Sequence, residues 1–283
     1  MIAILGGLGA ATVFAAATLC SSRSTRMIGA GPALGWVMML GFLIVVPWAA
    51  AEGVPEGLDA ASVGWLAVAG IGNILGLLLA YSALRIGKVG IVAPIVSTEG
   101  AIAAVISVIA GEQIAQGVSV TLGVIAVGIL LAATTREGEE TLVRGVGWAA
   151  ALYAVGAAVL FGVNLYATAR VSAELPIVWA LLPARVVGVL GVAVPLALTA
   201  RLRLTRRALP LVGASGLGEV AGLLLYAIGS RHGIAISAVL ASQFGAIAGV
   251  AAFWLFRERL ASLQLVGVAM IVVGVSVLSA LQS

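Results

Sequence analysis

Apolar segments of about 20 residues follow one another along almost the whole chain. In a helix, that length crosses the roughly 30 Å hydrocarbon layer of a bilayer. Of the 283 residues, 62% are hydrophobic and only 9% are charged, too few charges to cover a water-soluble domain of this size. We therefore predict an all-α integral membrane protein with ten transmembrane helices, at 2–20, 30–50, 63–84, 89–110, 117–134, 145–168, 175–199, 209–230, 234–255 and 262–281.

The two halves of the chain resemble each other in sequence. Residues 70–130 align with residues 216–276 at an offset near 146, and a one-residue slip brings in a further match. The aligned pairs include Gly72 with Gly218, Gly76 with Gly222, Ser97 with Ser242, Gly100 with Gly245 and, in the first helices, Phe14 with Phe161. Because five helices per copy is an odd number, the second copy must enter the membrane from the opposite face. Such inverted repeats are typical of alternating-access transporters.

The most polar segment of the chain separates these copies. We predict a first five-helix repeat at residues 1–134, a cytoplasmic connector at 135–144 and a second repeat at 145–283.

Basic residues divide unequally between the loops on the two sides. Of the 15 Lys and Arg residues, 12 fall on one side, Arg170 and Arg231 fall on the other, and Arg185 lies inside a span. The positive-inside rule places the first side in the cytoplasm and both termini outside it, in a multi-pass inner-membrane protein. The net charge of +4 therefore reflects topology, and no nucleic-acid partner is expected.

Three ionisable residues lie inside predicted spans, where a charge is costly and usually faces the bundle interior. Glu99, Arg185 and Glu219 each lie about ten residues into their spans, or about 15 Å deep. One guanidinium can neutralise one carboxylate, which leaves the other able to take up and release a proton. The alternative is that the three groups only pair and hold helices together.

Four further side chains complete the predicted substrate- and proton-binding site. Asn73 and Gln243 lie at a similar depth, where amides also commonly join helices by hydrogen bonds. Tyr81 and Tyr226 lie one to two turns from the midplane, where core packing is an equal alternative.

Chemistry of other kinds has little support in the sequence. It contains no phosphate-binding glycine loop, no metal-ligand spacing and no nucleophile elbow, and Cys20 is its only cysteine. His232, the only histidine, is expected in a solvated loop. We therefore expect no cofactor, no metal and no enzymatic activity.

Several short motifs resemble those of the EamA family of the drug/metabolite transporter superfamily. They are Ala83-Leu84-Arg85, Ser97-Thr98-Glu99-Gly100, Gly111-Glu112-Gln113, Ser242-Gln243-Phe244-Gly245 and Phe256-Arg257-Glu258-Arg259-Leu260. Gly100 stands where the family often has proline, and Gly41 stands in the first half at the place equivalent to Arg185. The resemblance implies a central cavity lined mainly by helices 1–4 and 6–9, with helices 5 and 10 peripheral, and transport of small organic solutes.

We accordingly predict a secondary active transporter that exports small organic metabolites, such as amino acids or drugs, by alternating access coupled to protons. The alternatives are a lipid-linked carrier or flippase, a non-transporting membrane partner subunit, and an integral-membrane enzyme. The expected partners are the solute, protons and the lipid bilayer. The sequence leaves the oligomeric state open, a homodimer included.

Overall fold

Every regular element in the described part of the chain is a helix. The computed structural model describes residues 2–110, 118–133, 141–172, 175–230, 240–257 and 260–281. The α-helices are α1 (Ile2–Ile28), α2 (Ala30–Glu52), α3 (Ala60–Ile86), α4 (Val89–Val96), α5 (Glu99–Ile109), α6 (Val118–Ala133), α7 (Thr141–Ser172), α8 (Ile177–Gly188), α9 (Val194–Leu198), α10 (Leu209–Ser230), α11 (Phe244–Phe256) and α12 (Ser262–Leu281).

Six segments among the described residues are long and apolar enough to cross a membrane. They are Ile4–Ile28, Ala30–Glu52, Ala60–Ile86, Gly147–Ser172, Ile177–Leu198 and Leu209–Gly229. Three shorter apolar segments, Val89–Ala103, Phe244–Phe256 and Leu265–Gly274, overlap the fourth, ninth and tenth predicted spans. The all-helical, membrane-spanning class is therefore confirmed, whereas the count of ten crossings stays a prediction.

The first helix is longer than its apolar run. It continues beyond the predicted end at residue 20 as far as Ile28, through a segment rich in serine and threonine. The hydroxyl groups of Ser24 and Thr25 donate to the carbonyls of Ser21 and Ser22, and both side chains are fully buried. Hydroxyl groups satisfied by their own helix can lie in the protein interior, so hydropathy alone places the end of this helix too early.

Similar turns lie at two aligned positions. After Val96 a turn at Ser97 and Thr98 separates α4 from α5, and a turn at Ser242 and Gln243 precedes α11. Both turns tighten in the same way, because the Thr98 amide donates to the Ile95 carbonyl and the Gln243 amide donates to the Leu240 carbonyl. The Ser97 and Thr98 hydroxyls also donate to carbonyls three residues back, which competes with regular helical bonding.

The seventh predicted span is also irregular. A π-helical turn, Val189–Ala193, lies between α8 and α9, and Pro195 follows at the start of α9. Proline has no amide hydrogen to give to the preceding turn, and π-turns are common where a regular helix is disturbed. Pro183 lies within α8, two residues before Arg185.

Glycines set the closest helix contacts, and they do so in the same way in both halves. A Cβ atom added at Gly76 of α3 would lie 2.7 Å from the Phe161 ring of α7, and Gly222 of α10 is covered by the Phe14 ring of α1 in the same manner. Each pair is aligned with the other in sequence. The contacts therefore support a packing role for these glycines.

The helix ends divide into two layers. At what we call the basic end, α1, α3 and α11 terminate together: Arg26 donates to the carbonyls of Leu84 and Gly87, and the Arg23 guanidinium lies 4.5 Å from the centre of the Phe256 ring. At what we call the acidic end, the loop that follows α2 meets the start of α8, where the Trp179 indole donates to the Gly53 carbonyl.

The acidic end carries Glu52, Glu56 and Asp59. Asp59 begins α3 by accepting a hydrogen bond of 2.7 Å from the Ser62 amide. This bond lowers the pKa of the exposed Asp59 carboxyl below its usual value.

Candidate functional site

A cavity of about 120 Å³ lies between the two halves of the chain, with room for several water molecules. Its walls come from α1, α3, α4, α5, α7, α10, the turn before α11, and α11. The larger part of the wall is apolar and includes the rings of Phe14, Phe161 and Phe244. None of the described residues that line it belongs to α6 or α12, which are the fifth and tenth predicted spans and were expected to be peripheral.

Five of the seven predicted site residues line this cavity. They are Asn73, Tyr81, Glu99, Glu219 and Tyr226. Glu99 faces it because α5 begins at this residue, directly after the turn that interrupts the helix. Glu219 faces it from the middle of α10, whose close approach to α1 depends on Gly218 and Gly222. The two carboxylates are near enough to interact electrostatically.

Arg185, the sixth predicted residue, lies behind the wall rather than in it. Its side chain is fully buried and passes over Gly41 of α2, where an added Cβ would lie 2.8 Å from the Arg185 Cδ. Nη1 is 3.5 Å from the Met38 sulfur, while Nε and Nη2 have no hydrogen-bond partner. Arg185 is therefore hydrogen-bonded to neither carboxylate, although its charge interacts electrostatically with Glu219.

Gln243, the seventh, does not line the cavity. Its side-chain amide donates to the Ser276 hydroxyl of α12 at 2.9 Å, and Ser276 in turn donates to the carbonyl of Val272. In this position Gln243 joins the turn before α11 to the last helix, which matches the interhelical alternative for this residue.

A second, smaller cavity of about 40 Å³ adjoins the first on the side of the acidic end. It extends to Ser172 at the end of α7 and to Ala180 near the start of α8. The residues that line both cavities are Asn73, Asn164, Leu165, Leu223 and Tyr226. These five side chains form the layer between the two cavities, and we call them the shared layer.

On the other side of the main cavity, three hydroxyl groups join three helices. Ser21 of α1, Tyr81 of α3 and Ser215 of α10 are buried and mutually hydrogen-bonded, with Ser21 Oγ 2.9 Å and Ser215 Oγ 3.2 Å from the Tyr81 hydroxyl. We call this group the hydroxyl cluster. It lies between Glu219 and the basic end, so it holds α1, α3 and α10 together on that side of the cavity.

Several polar residues that line the cavity were not among the predicted site residues. Asn164, Thr18, Ser21 and Ser242 all line it, and the Thr168 hydroxyl donates to the side-chain oxygen of Asn164 at 3.3 Å next to the second cavity. Asn164 could have been found as a polar residue deep in an apolar run. The hydroxyl groups carry no such signal, because serine and threonine also occur throughout helices that only pack.

Other predicted features fall outside the described residues. These are Arg231, His232, Glu112, Glu258 and positions 135–140 of the connector. Residues 141–144, the rest of that connector, are the first turn of α7.

The fold is similar to that of known structures. One solved crystal structure matches with a TM-score of 0.64 over 99% of this chain and 97% of the other, at 16% sequence identity. It is among 15 solved chains that match. At this identity the likeness shows the fold alone. No curated protein matches the chain in sequence.

A family model matches the first half of the chain. Residues 1–134 match the EamA-like transporter family, as the motifs around Glu99 predicted. This match points to a transporter of small solutes rather than an enzyme. Together with the six long apolar helices among the described residues, it indicates a multi-pass membrane protein. Residues 1–134 of the chain are therefore similar to the EamA-like transporter family, part of the drug/metabolite transporter superfamily.

Proposed function

We propose that this protein is a proton-coupled secondary transporter that exports small organic metabolites across the inner membrane by alternating access. The observation that supports it most is the position of Glu99 and Glu219 on the wall of one cavity. Ionisable groups inside a membrane are costly and mark substrate or proton pathways. Two carboxylates in one cavity, with a single cation behind its wall, leave a negative charge for a proton or a substrate to neutralise.

Alternating access is supported by the unequal surroundings of the main cavity. Toward the basic end, the hydroxyl cluster joins α1, α3 and α10. Toward the acidic end, the second cavity continues beyond the shared layer. We interpret this arrangement as a carrier closed at the basic end. Export requires the opposite state, in which the hydroxyl cluster separates and the helices close around the second cavity.

An inverted pair of five-helix repeats, at residues 1–134 and 145–283, would supply the two states. Its support is the reciprocity of contacts between aligned positions. Phe14 covers Gly222 as Phe161 covers Gly76. Reciprocal contacts of this kind are expected when two copies face each other across a pseudo-two-fold axis, and exchanging the roles of the copies exchanges the open side.

Orientation follows from the same two ends. Arg23, Arg26 and Arg85 lie at the basic end, and loop cations favour the cytoplasmic side. We therefore place the basic end in the cytoplasm and both termini outside it. In that orientation the second cavity is directed away from the cytoplasm. The proposal covers the monomer and a homodimer alike.

The test uses the purified full-length protein in liposomes with an imposed pH gradient. Counterflow of a panel of labelled amino acids and other small metabolites identifies a transported solute, and an internal pH dye follows proton movement. We expect Glu99→Gln and Glu219→Gln to abolish pH-driven transport while each variant still folds, since glutamine preserves shape and removes the titratable proton.

Glu56→Gln is the matched control, because Glu56 is an exposed carboxylate in the loop at the acidic end. It should transport like the wild type. Full pH-driven transport by both Glu99→Gln and Glu219→Gln would reject proton coupling through this cavity.

A further inference from the structure

The described lining of the main cavity carries hydrogen-bond acceptors and two carboxyl groups but no cation. Glu99 and Glu219 face it, and no lysine, arginine or histidine is among the described residues that line it. The Asn73 side-chain oxygen, which is buried beside the same cavity, accepts no hydrogen bond. A ligand that enters the cavity therefore meets groups that need hydrogens and positive charge.

The nearest cation cannot supply that charge to a ligand. Arg185 is fully buried, with its side chain enclosed by Met38 and Gly41. It reduces the negative potential at Glu219 from behind the wall, yet none of its atoms lines the cavity. Glu99 interacts with Glu219, a second negative group. An ionised Glu99 in the main cavity would therefore lack a compensating positive charge.

Aromatic rings contribute to the remaining wall. Phe14 and Phe244 meet edge to face with their ring centres 6.3 Å apart and an angle of 71° between the ring planes, and Phe161 lines the wall as well. Aromatic faces attract ammonium groups, and aromatic surface also accommodates an apolar body. A carboxylate beside such a wall suits a molecule that carries a cationic nitrogen on an apolar frame.

An organic anion meets the opposite conditions. Its carboxylate would lose water and come close to one or both glutamates without a cation to compensate, which is unfavourable by both desolvation and repulsion. A zwitterionic amino acid would gain at its ammonium end and lose at its carboxylate end. Electrostatics therefore ranks solutes of equal size as cation, zwitterion and anion.

Building on the transport function proposed above, we propose that the cavity selects organic cations, meaning amphipathic amines and quaternary ammonium compounds, over organic anions of the same size. Glu99 and Glu219 provide the countercharge, and the aromatic wall holds the apolar part. A proton and a cationic solute would then compete for the same carboxylates.

The experiment measures binding of four probes to the full-length protein in detergent by isothermal titration calorimetry. The probes share a phenyl ring and differ in charge: protonated phenethylamine, benzyltrimethylammonium, phenylalanine and 3-phenylpropanoate. We expect both cations to bind at least tenfold more tightly than 3-phenylpropanoate. The affinity of phenylalanine should lie between that of the cations and that of 3-phenylpropanoate. Benzyltrimethylammonium has no N–H group, so its binding separates charge recognition from hydrogen bonding.

Two carboxylate variants and one control locate the effect. Glu99→Gln and Glu219→Gln should each reduce cation affinity at least tenfold and bring the affinities of cation and anion closer together. Glu56→Gln should bind like the wild type. Equal or tighter binding of 3-phenylpropanoate would overturn the proposal, and so would cation binding that survives unchanged in both carboxylate variants.

Counterflow of the wider solute panel separates this proposal from the proposed function. Failure of both cations to bind, with counterflow of another solute intact, would reject the cation class and keep the transporter. Failure of all counterflow as well would reject both.

Discussion

The two halves of the chain share their packing positions and differ in their polar side chains. Gly76 lies under Phe161, and Gly222 lies under Phe14, at aligned positions. The helices of these two glycines, α3 and α10, carry Asn73 in the first half and Glu219 at the aligned position in the second. Small and aromatic residues thus set how closely the helices approach, while the polar residues set the charge of the cavity independently.

The difference continues on both sides of the cavity. Tyr81 and Ser215 of the hydroxyl cluster align with Ala227 and Ala69, and both alanines line the second cavity. A hydrogen-bonded cluster on one side therefore faces small side chains on the other. In the proposed carrier, such unequal side chains at aligned positions would give the two states unequal free energies and so favour one of them at rest.

The largest effect should come from removing Arg185, a buried cation in the second half of the chain. The first half has Gly41 at the equivalent place and so has no matching charge. We expect Arg185→Met to lower transport roughly tenfold to a hundredfold, or about 1.4–2.8 kcal/mol, because Glu219 loses its compensating charge. The same variant should melt at a higher temperature, since two unsatisfied buried nitrogens disappear, each costing about 1–3 kcal/mol.

Transport and thermal unfolding of the same preparation measure these two effects. Arg170→Met, at an exposed arginine near the end of α7, is the control and should change neither quantity. Unchanged transport in Arg185→Met would remove Arg185 from the mechanism.

The next effect compares two aligned glycines at the helix interruptions. A Cβ at Gly245 would lie 2.5 Å from the Ser97 hydroxyl oxygen and 2.7 Å from the Ala93 carbonyl oxygen, whereas at Gly100 the nearest atom is 4.0 Å away. We expect Gly245→Ala to destabilise the fold by about 1–3 kcal/mol through overpacking and Gly100→Ala to be nearly neutral. Thermal unfolding monitored by circular dichroism would measure both, and equal losses would refute the difference between the halves.

An effect of similar size concerns the hydroxyl cluster. Tyr81→Phe removes both hydrogen bonds of the tyrosine hydroxyl and leaves the two serines in contact, so the state closed at the basic end should lose about 1–3 kcal/mol. With Cys20→Ala as background, a cysteine introduced at Val92 on the cavity wall should react faster with maleimide in the Tyr81→Phe variant.

The control for this shift is the next residue along α3. Ser82 donates only within its own helix, to the Leu78 carbonyl, so Ser82→Ala should leave the labelling rate unchanged. Equal acceleration by both variants would mean that the helix has loosened generally and that the hydroxyl cluster sets no preference.

The smallest effect concerns the start of α3. Asp59 caps its start, and the folded pKa of Asp59 lies below the usual value. The carboxylate therefore stabilises the helix above the pKa of the unfolded chain, and this contribution disappears as pH falls through the folded pKa. Asp59→Ala should lower the melting temperature slightly at pH 7 and not at pH 2.5. A loss of the same size at both pH values would show that the charge is irrelevant.

Helix positions were the most predictable part of the fold. Residues 209–230 and 262–281 were predicted as spans and are helices with those bounds, because apolar content over 20 residues decides which segments a membrane accepts. The interruptions at Ser97 and Ser242 were missed. Two polar residues hardly change a 20-residue average, and their effect depends on which carbonyls their hydroxyl and amide groups reach.

For the site, only the depth of its residues along the predicted spans was predictable. Depth along an apolar run identified Glu99 and Glu219, both of which line the cavity. Depth gives no rotational position, so it could not distinguish them from Gln243, which binds Ser276, or from Arg185, which lies behind the wall. Their roles in binding stay predictions, because rotation around a helix axis is set by packing among all the helices.

The shared layer has an electrical consequence. Asn73, Asn164 and Tyr226 stand between a cavity on one side and a cavity on the other. When water fills both, the membrane voltage falls mainly across this thin partition instead of across the full lipid thickness. In the proposed transporter, an ion that passes Asn73 would therefore cross most of the membrane voltage at this layer, which corresponds to about 2.3 kcal/mol per charge at 100 mV.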